Sequence, residues 1–149
     1  MTADKWVLEK TLGGKAKPFY WKIDDKGSIS IKRMFGNQEK LISQTVNAQE
    51  LGKIDKYLSD GGWKALANDV EKLKKGTEKP GIGKFMYDNL GMNEAEAQLS
   101  SHLGAIFSNA GAWSDNGKKR GIEFKKNTDN WAKVVREYYL SSKPWEVQP

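Results

Sequence analysis

The hydrophobic period of this chain changes at Asn47, and that change narrows the folds open to it more than any other feature. Ahead of it, Pro18 to Asp24 and Gly27 to Met34 are rich in β-branched and aromatic residues and flank the turn-forming pair Asp25 and Lys26. Ile29 and Ile31 alternate with Ser28, Ser30 and Lys32. A period of two is that of a strand with one wet face, so the segment predicts a β-hairpin. Phe35, Gly36 and Asn37 make a further connection into Glu39 to Thr45, a third strand, and Lys5 to Leu12 is an earlier extended stretch that ends at Gly13 and Gly14. From Asn47 onward the pattern is helical. Asn47 and Glu50 have the spacing of a capping box, with Val46 and Leu51 placed as a hydrophobic staple, and Leu51, Ile54 and Leu58 share one face. A helix over 48–58 is predicted, followed by a second over 63–74 that buries Leu66, Val70 and Leu73.

Gly76 to Gly83, with Pro80 inside it, is the natural internal boundary and divides the chain into units 1–75 and 76–149. Beyond it, Ile82 to Leu90 predicts a short helix and Gly91 stands where a left-handed C-cap is needed. Asn93 and Glu96 form a second capping box that opens a helix over 94–109. Two helices joined by Gly91-Met92-Asn93 make a helix-turn-helix candidate. Ala112 to Ser114 is short and extended, Asn116-Gly117 is a pair favoured in tight type I′ turns, and Arg120 to Lys126 returns as a strand. Asn127 or Thr128 caps a last helix to about Leu140, leaving Ser141 to Pro149 as a tail that Trp145 could pin. The fold class expected is α+β: a small N-terminal antiparallel sheet with helices, a winged-helix-like unit, and a C-terminal helix.

Composition removes several chemistries. The chain has 149 residues, no cysteine and one histidine, His102. Disulfide frameworks, thiolate metal sites and thiol nucleophiles are thereby excluded. No run approaches the roughly 18 apolar residues of a membrane span, and the polar start Met1 to Lys10 lacks the pattern of a signal peptide. A soluble cytoplasmic protein without membrane contact is expected. The formal charge of +6 attracts polyanions, with nucleic acid first among them.

Helix, tight turn, helix and basic hairpin, in that order over about residues 63–126, resemble the winged helix-turn-helix family of DNA-binding domains. The resemblance implies that the helix over 94–109 lies in the major groove of double-stranded DNA while the hairpin around Asn116 and Gly117 reaches the backbone or the adjacent minor groove. That helix carries no Arg or Lys, so bidentate readout of guanine from it is closed. Its apolar stripe of Ala95, Leu99, Leu103, Ile106, Phe107 and Ala110 leaves a face of small residues opposite. Such a face allows close approach of another backbone, nucleic acid or a neighbouring helix. Gln98, Ser101 and Ser108 are its candidates for contact with bases or phosphates. The hairpin supplies the charge: Lys118, Lys119, Arg120, Lys125 and Lys126 stand against the single Glu123, a cluster suited to releasing condensed counterions. The function read from these residues is non-enzymatic DNA binding, with no cofactor and no metal.

Other readings rest on their own residues. A protein-interaction module could use the same scaffold, and the N-terminal half, with its aromatics, could serve a homodimer or a partner protein. Tyr20, Lys22, Lys32 and Arg33 would be the contacts if the N-terminal sheet itself read nucleic acid. Glu123 and Lys125 have the Glu-x-Lys spacing of Mg²⁺-dependent nucleases, with Asp115 upstream as a second carboxylate. His102 is expected to be a boundary histidine bonded to backbone. Gly81-Ile82-Gly83-Lys84 reads as a flexible lead into a helix, since it lacks the spacing and the preceding strand of a phosphate loop.

Overall fold

A computed structural model describes residues 5–34 and 41–144. The N-terminal half opens with four strands, β1 (Val7–Lys10), β2 (Pro18–Ile23), β3 (Ile29–Met34) and β4 (Leu41–Val46), paired antiparallel in sequence order. The period-two expectation is met in the register. Phe19 faces Arg33, Trp21 faces Ile31 and Ile23 faces Ile29, which puts one side chain of every two on the inner side. Trp21, Ile29, Ile31 and Val46 are sealed from solvent there. The Asp24 carboxylate accepts from the amides of Lys26 and Ser28 to close the β2–β3 turn, and Gly27 takes φ +91. The expected connection Phe35-Gly36-Asn37 and the start of the third expected strand lie outside the described residues.

Helix α1 (Ala48–Tyr57) begins as the capping box predicts: the Asn47 side chain accepts from the Glu50 amide and the Glu50 carboxylate accepts from the Asn47 amide. Leu51, Ile54 and Leu58 are buried in the core cluster that the inner face of the sheet belongs to. The second helix starts later than the sequence suggests. Lys64–Ala65 is a strand, β5, and only Val70–Lys75 is helical, as α2. The reason is that residues 64–66 are taken by a sheet partner from far along the chain, while Asp69 caps α2 by accepting from the Lys72 amide.

Helix α3 (Ile82–Asn89) is followed by Gly91 at φ +68, then by α4 (Glu94–Ala97), with its capping box from Asn93, and α5 (Leu99–Ala110). The helix expected over 94–109 is thus two segments with a break at Gln98. The Gly81–Lys84 run is a packing joint rather than a loose lead. A β-carbon at Gly81 would lie 2.4 Å from the Ala65 carbonyl oxygen and one at Gly83 would lie 2.6 Å from that of Ala67, and the Gly83 amide donates to the Leu66 oxygen at 2.7 Å.

The last elements are β6 (Trp113–Asp115), β7 (Glu123–Lys126) and α6 (Trp131–Ser141). β7 is the middle strand of a three-stranded sheet ordered β5-β7-β6. Two expectations are corrected here. Residues 116–122 form a long loop instead of a tight Asn-Gly turn, with Gly117 and Gly121 both at positive φ, and the return strand starts at Glu123, not Arg120. The cap of α6 is Asn130, accepting from the Lys133 amide, rather than Asn127 or Thr128. β5 pairs across the Gly76–Gly83 connection, and one apolar cluster, from Val7 and Trp21 to Phe124, Val135 and Tyr139, runs through both halves.

Helix α5 is the pillar between the two sheets. Leu99, Ser100 and every residue from His102 to Phe107 are buried, the pattern of a helix enclosed on all sides. On one flank His102 meets the Phe19 ring edge-on at 4.8 Å. On another, Glu9 of β1 takes hydrogen bonds from Asn109 of α5 and from the Tyr138 hydroxyl of α6. Burial and the Glu9 carboxylate together raise the Tyr138 phenol above its ordinary range.

Candidate nucleic-acid interface

A cleft of about 770 Å³ opens between the β1–β2 turn, the exit of β5, the α4–α5 junction and the start of β7. Lys15 and Lys17 stand on one lip, carried by the turn in which the Thr11 amide bonds the Lys17 carbonyl and the Lys17 amide bonds the Thr11 hydroxyl. Gln98, Ser101, His102 and Asn68 contribute the polar floor, and Leu12, Leu66 and Ile122 an apolar wall. The Asn68 side-chain amide donates to the hydroxyls of Ser100 at 3.1 Å and Ser101 at 2.7 Å, tying the β5 exit to the first turn of α5. Arg33 lies at the back, almost fully buried, where its Nε donates to Gln44 and its Nη2 to the Ala95 carbonyl. Burial lowers the guanidinium from its ordinary value.

His102 is neutral in this setting. Burial, then the nearby charges of Arg33 and Lys17, push its imidazole down to about 4, with the Gln98 carbonyl opposing them. Its Nδ1 is sealed off and finds no hydrogen-bond partner of good geometry. The boundary histidine expected from the sequence is therefore a core residue that also forms part of the cleft floor.

The sequence-selected residues separate into three groups. Gln98 and Ser101 face the cleft. Lys118, Lys119 and Arg120 are exposed on the 116–122 loop, whose last residue, Ile122, is on the cleft wall. The remaining three are engaged by partners within the chain. The Ser108 hydroxyl donates to Asp115 at 2.7 Å and, with the Gly117 amide, holds that carboxyl below its usual range. Lys126 pairs with Asp55 at 3.0 Å and Asp129 at 3.3 Å and donates to the Ser59 hydroxyl. Burial pulls its ammonium down, but those two carboxylates outweigh it and the net shift is upward. Lys125 lies over the Trp63 ring at 5.1 Å, on the other side of the sheet.

The face of α5 expected to be open is covered. Ala105 is buried, as is Ala97 of α4 before it, and at Gly104 a β-carbon would come within 2.4 Å of the Phe124 ring. The close approach that Gly104 permits is used by Phe124 of the chain's own β7. Along its length α5 therefore has no face to lay in a groove, and only its first turn reaches the cleft.

Register also corrects the nuclease constellation. Asp115 stands opposite Phe124, whereas the Asn116 amide bonds the Glu123 carbonyl, so Asp115 and Glu123 point to opposite sides of the sheet and cannot share an ion. Among the described residues no group of three His, Cys, Asp or Glu side chains could hold a metal, and no helix is long and apolar enough to cross a membrane. Of the N-terminal candidates, Tyr20, Lys22 and Lys32 lie on the outer side of the sheet, Lys22 and Lys32 both over the Trp6 ring, while Arg33 is on the inner side.

Lys15, Lys17 and Asn68 carry no distinguishing mark in the sequence. The first two are ordinary lysines in a glycine-containing turn, and what sets them apart is only where that turn is folded. Compared with known families, curated proteins and solved structures, the chain matches none.

Proposed function

We propose that this chain is a non-enzymatic nucleic-acid-binding protein that grips the phosphate backbone between the 116–122 loop and the β1–β2 turn. The observation that carries the reading is the distribution of charge: Lys118, Lys119 and Arg120 are exposed on a loop that ends in the cleft wall, Lys15 and Lys17 are on another lip, and no described lining residue is acidic. Two separate basic segments then act on one strand. Affinity would come mainly from counterion release. Gln98 and Ser101 add polar contacts at the floor, and the buried length of α5 leaves sequence preference modest. This reading keeps the basic hairpin of the winged-helix resemblance and gives up groove insertion by the second helix.

The test is titration of labelled duplex and single-stranded oligonucleotides at two ionic strengths. Binding should weaken steeply with salt. Replacing Lys118, Lys119 and Arg120 together by Glu should weaken it for every sequence and lower the logarithmic salt slope on duplex by about 2 to 3, at about 0.9 for each phosphate no longer neutralised. Salt-independent binding, or binding to a protein with none to nucleic acid, would overturn the proposal in favour of an interaction module.

A further inference from the structure

We infer that the cleft between the β1–β2 turn and the α4–α5 junction receives a single unpaired nucleotide, its phosphate on the Lys15–Lys17 lip and its base against the Leu12–Leu66–Ile122 wall. This deepens the nucleic-acid reading by assigning a ligand to the same site, and it rests on that reading for its natural source.

The chemistry of the lining selects this class. Lys15 and Lys17 favour an anion, so a purely apolar ligand is a poor fit. The apolar wall would be wasted on bare phosphate. A volume of about 770 Å³ is in the range of pockets that enclose a small organic ligand. At the floor, the Gln98 carboxamide offers a donor and an acceptor together, the pairing that a base edge requires. The Ser101 hydroxyl accepts from Asn68 and can direct its own proton into the cleft. His102, neutral, completes the floor without adding a charge that would compete with the lysines for the phosphate.

The backbone gives an independent sign that the site is built. Among the described residues, Ala16 at φ +42 and Ala67 at φ +49 are the two non-glycine residues in the left-handed region. Each sits between two cleft residues, Ala16 between Lys15 and Lys17 and Ala67 between Leu66 and Asn68. A β-carbon disfavours that conformation, and such strain persists where the surroundings over-determine it. For Ala67 the surroundings are identifiable: Gly81 and Gly83 pack so closely on residues 65–67 that neither has room for a side chain. The joint turns Asn68 towards Ser101 and so shapes the floor.

His102 is the chain's single histidine, so its ring resonances report the cleft without ambiguity. The experiment follows them in ¹H–¹⁵N spectra while adenosine or uridine 5′-monophosphate, an eight-nucleotide single strand, or a blunt duplex is added, with affinities measured in parallel. The single strand should perturb His102 and bind at least tenfold more weakly to Lys15→Glu/Lys17→Glu and to Gln98→Ala, both checked for native circular dichroism. Perturbation by the mononucleotide as well identifies free nucleotide as a source; perturbation by the strand alone identifies a nucleotide held in a chain. In the Lys118→Glu/Lys119→Glu/Arg120→Glu protein, mononucleotide binding should survive while strand and duplex binding fall. Duplex or strand binding that leaves His102 unmoved overturns the cleft assignment but spares the loop. Mononucleotide binding with no binding of either polymer does the reverse. A glutamate-rich peptide that shifts His102 as strongly as the nucleotides overturns the assignment of ligand class.

Discussion

The two sheets of this protein are held together by different kinds of contact. Strands β1 to β4 each pair with the next strand in sequence, and their inner face is a continuous layer of Phe19, Trp21, Ile29, Ile31 and Val46. The small sheet joins Lys64 and Ala65 to Phe124 and Glu123, across most of the second half of the chain, and leans on α5 at the one place where Gly104 has no side chain. Local pairing asks little loop closure of the first sheet and a great deal of the second. The exposed basic loop and the cleft wall at Ile122 both belong to the second, so the proposed function hangs on the sheet that depends most on the rest of the molecule.

Substitutions can break or sharpen this contrast. The largest effect is expected at Ile31, fully buried in the large sheet: Ile31→Ala should cost about 4 kcal/mol in urea denaturation and lower the stability of the whole domain. Gly104→Val should cost roughly 3 kcal/mol by overpacking, but unevenly. Hydrogen exchange should quicken in β6 and β7 well before β2 and β3, and equal acceleration in both sheets would remove the distinction drawn between them.

His102, wedged between Phe19 and the cleft, gives a pH-dependent version of the same comparison. Its folded value of about 4 lies below the ordinary 6.5, so between those pH values the unfolded chain holds a proton that the folded one refuses. The stability present above pH 6.5 is lost progressively as pH falls towards 4. Against a His102→Gln protein, in which the carboxylate background is common to both, the natural chain should lose about 3 kcal/mol more over that window. Parallel pH profiles would show that the imidazole is not enclosed as described.

The smallest expected effects distinguish neighbouring lysines on β7. Lys126→Ala leaves Asp55, one of whose oxygens is already buried without a partner, and should cost about 2 kcal/mol. Lys125→Ala, on the outer side over Trp63, should change stability by no more than about 0.5 kcal/mol. Equal losses in thermal denaturation would mean that the two sides of this sheet are not as different as the strand register makes them.

Much of the architecture was legible because its causes are local. The β2–β3 hairpin follows from alternation and the Asp24–Gly27 turn, and the starts of α1 and α4 follow from Asn47 with Glu50 and Asn93 with Glu96. β5 was hidden because two residues paired to a distant strand leave no periodic trace, so Leu66, Val70 and Leu73 could be read as one helix. The candidate site divides along the same line. The Lys118–Arg120 cluster could be found by composition, as could Gln98 and Ser101 by their place on a helix. Lys126 carries the same charge as its neighbours in sequence, but only alternation along β7, fixed by pairing with β6, turns it inward to Asp55.

By itself the order of residues determined the strands of the first sheet, the capped helix starts, the basic loop and the absence of cysteine chemistry, since all of these depend on groups within a few positions of one another. The enclosure of α5, the neutrality of His102 and the meeting of Lys15, Lys17, Asn68 and Ser101 around one cleft were decided only when the two sheets closed on that helix. The physical reason is that burial and electrostatic environment are properties of what lies across the fold, and a residue carries no record of them in its immediate neighbours.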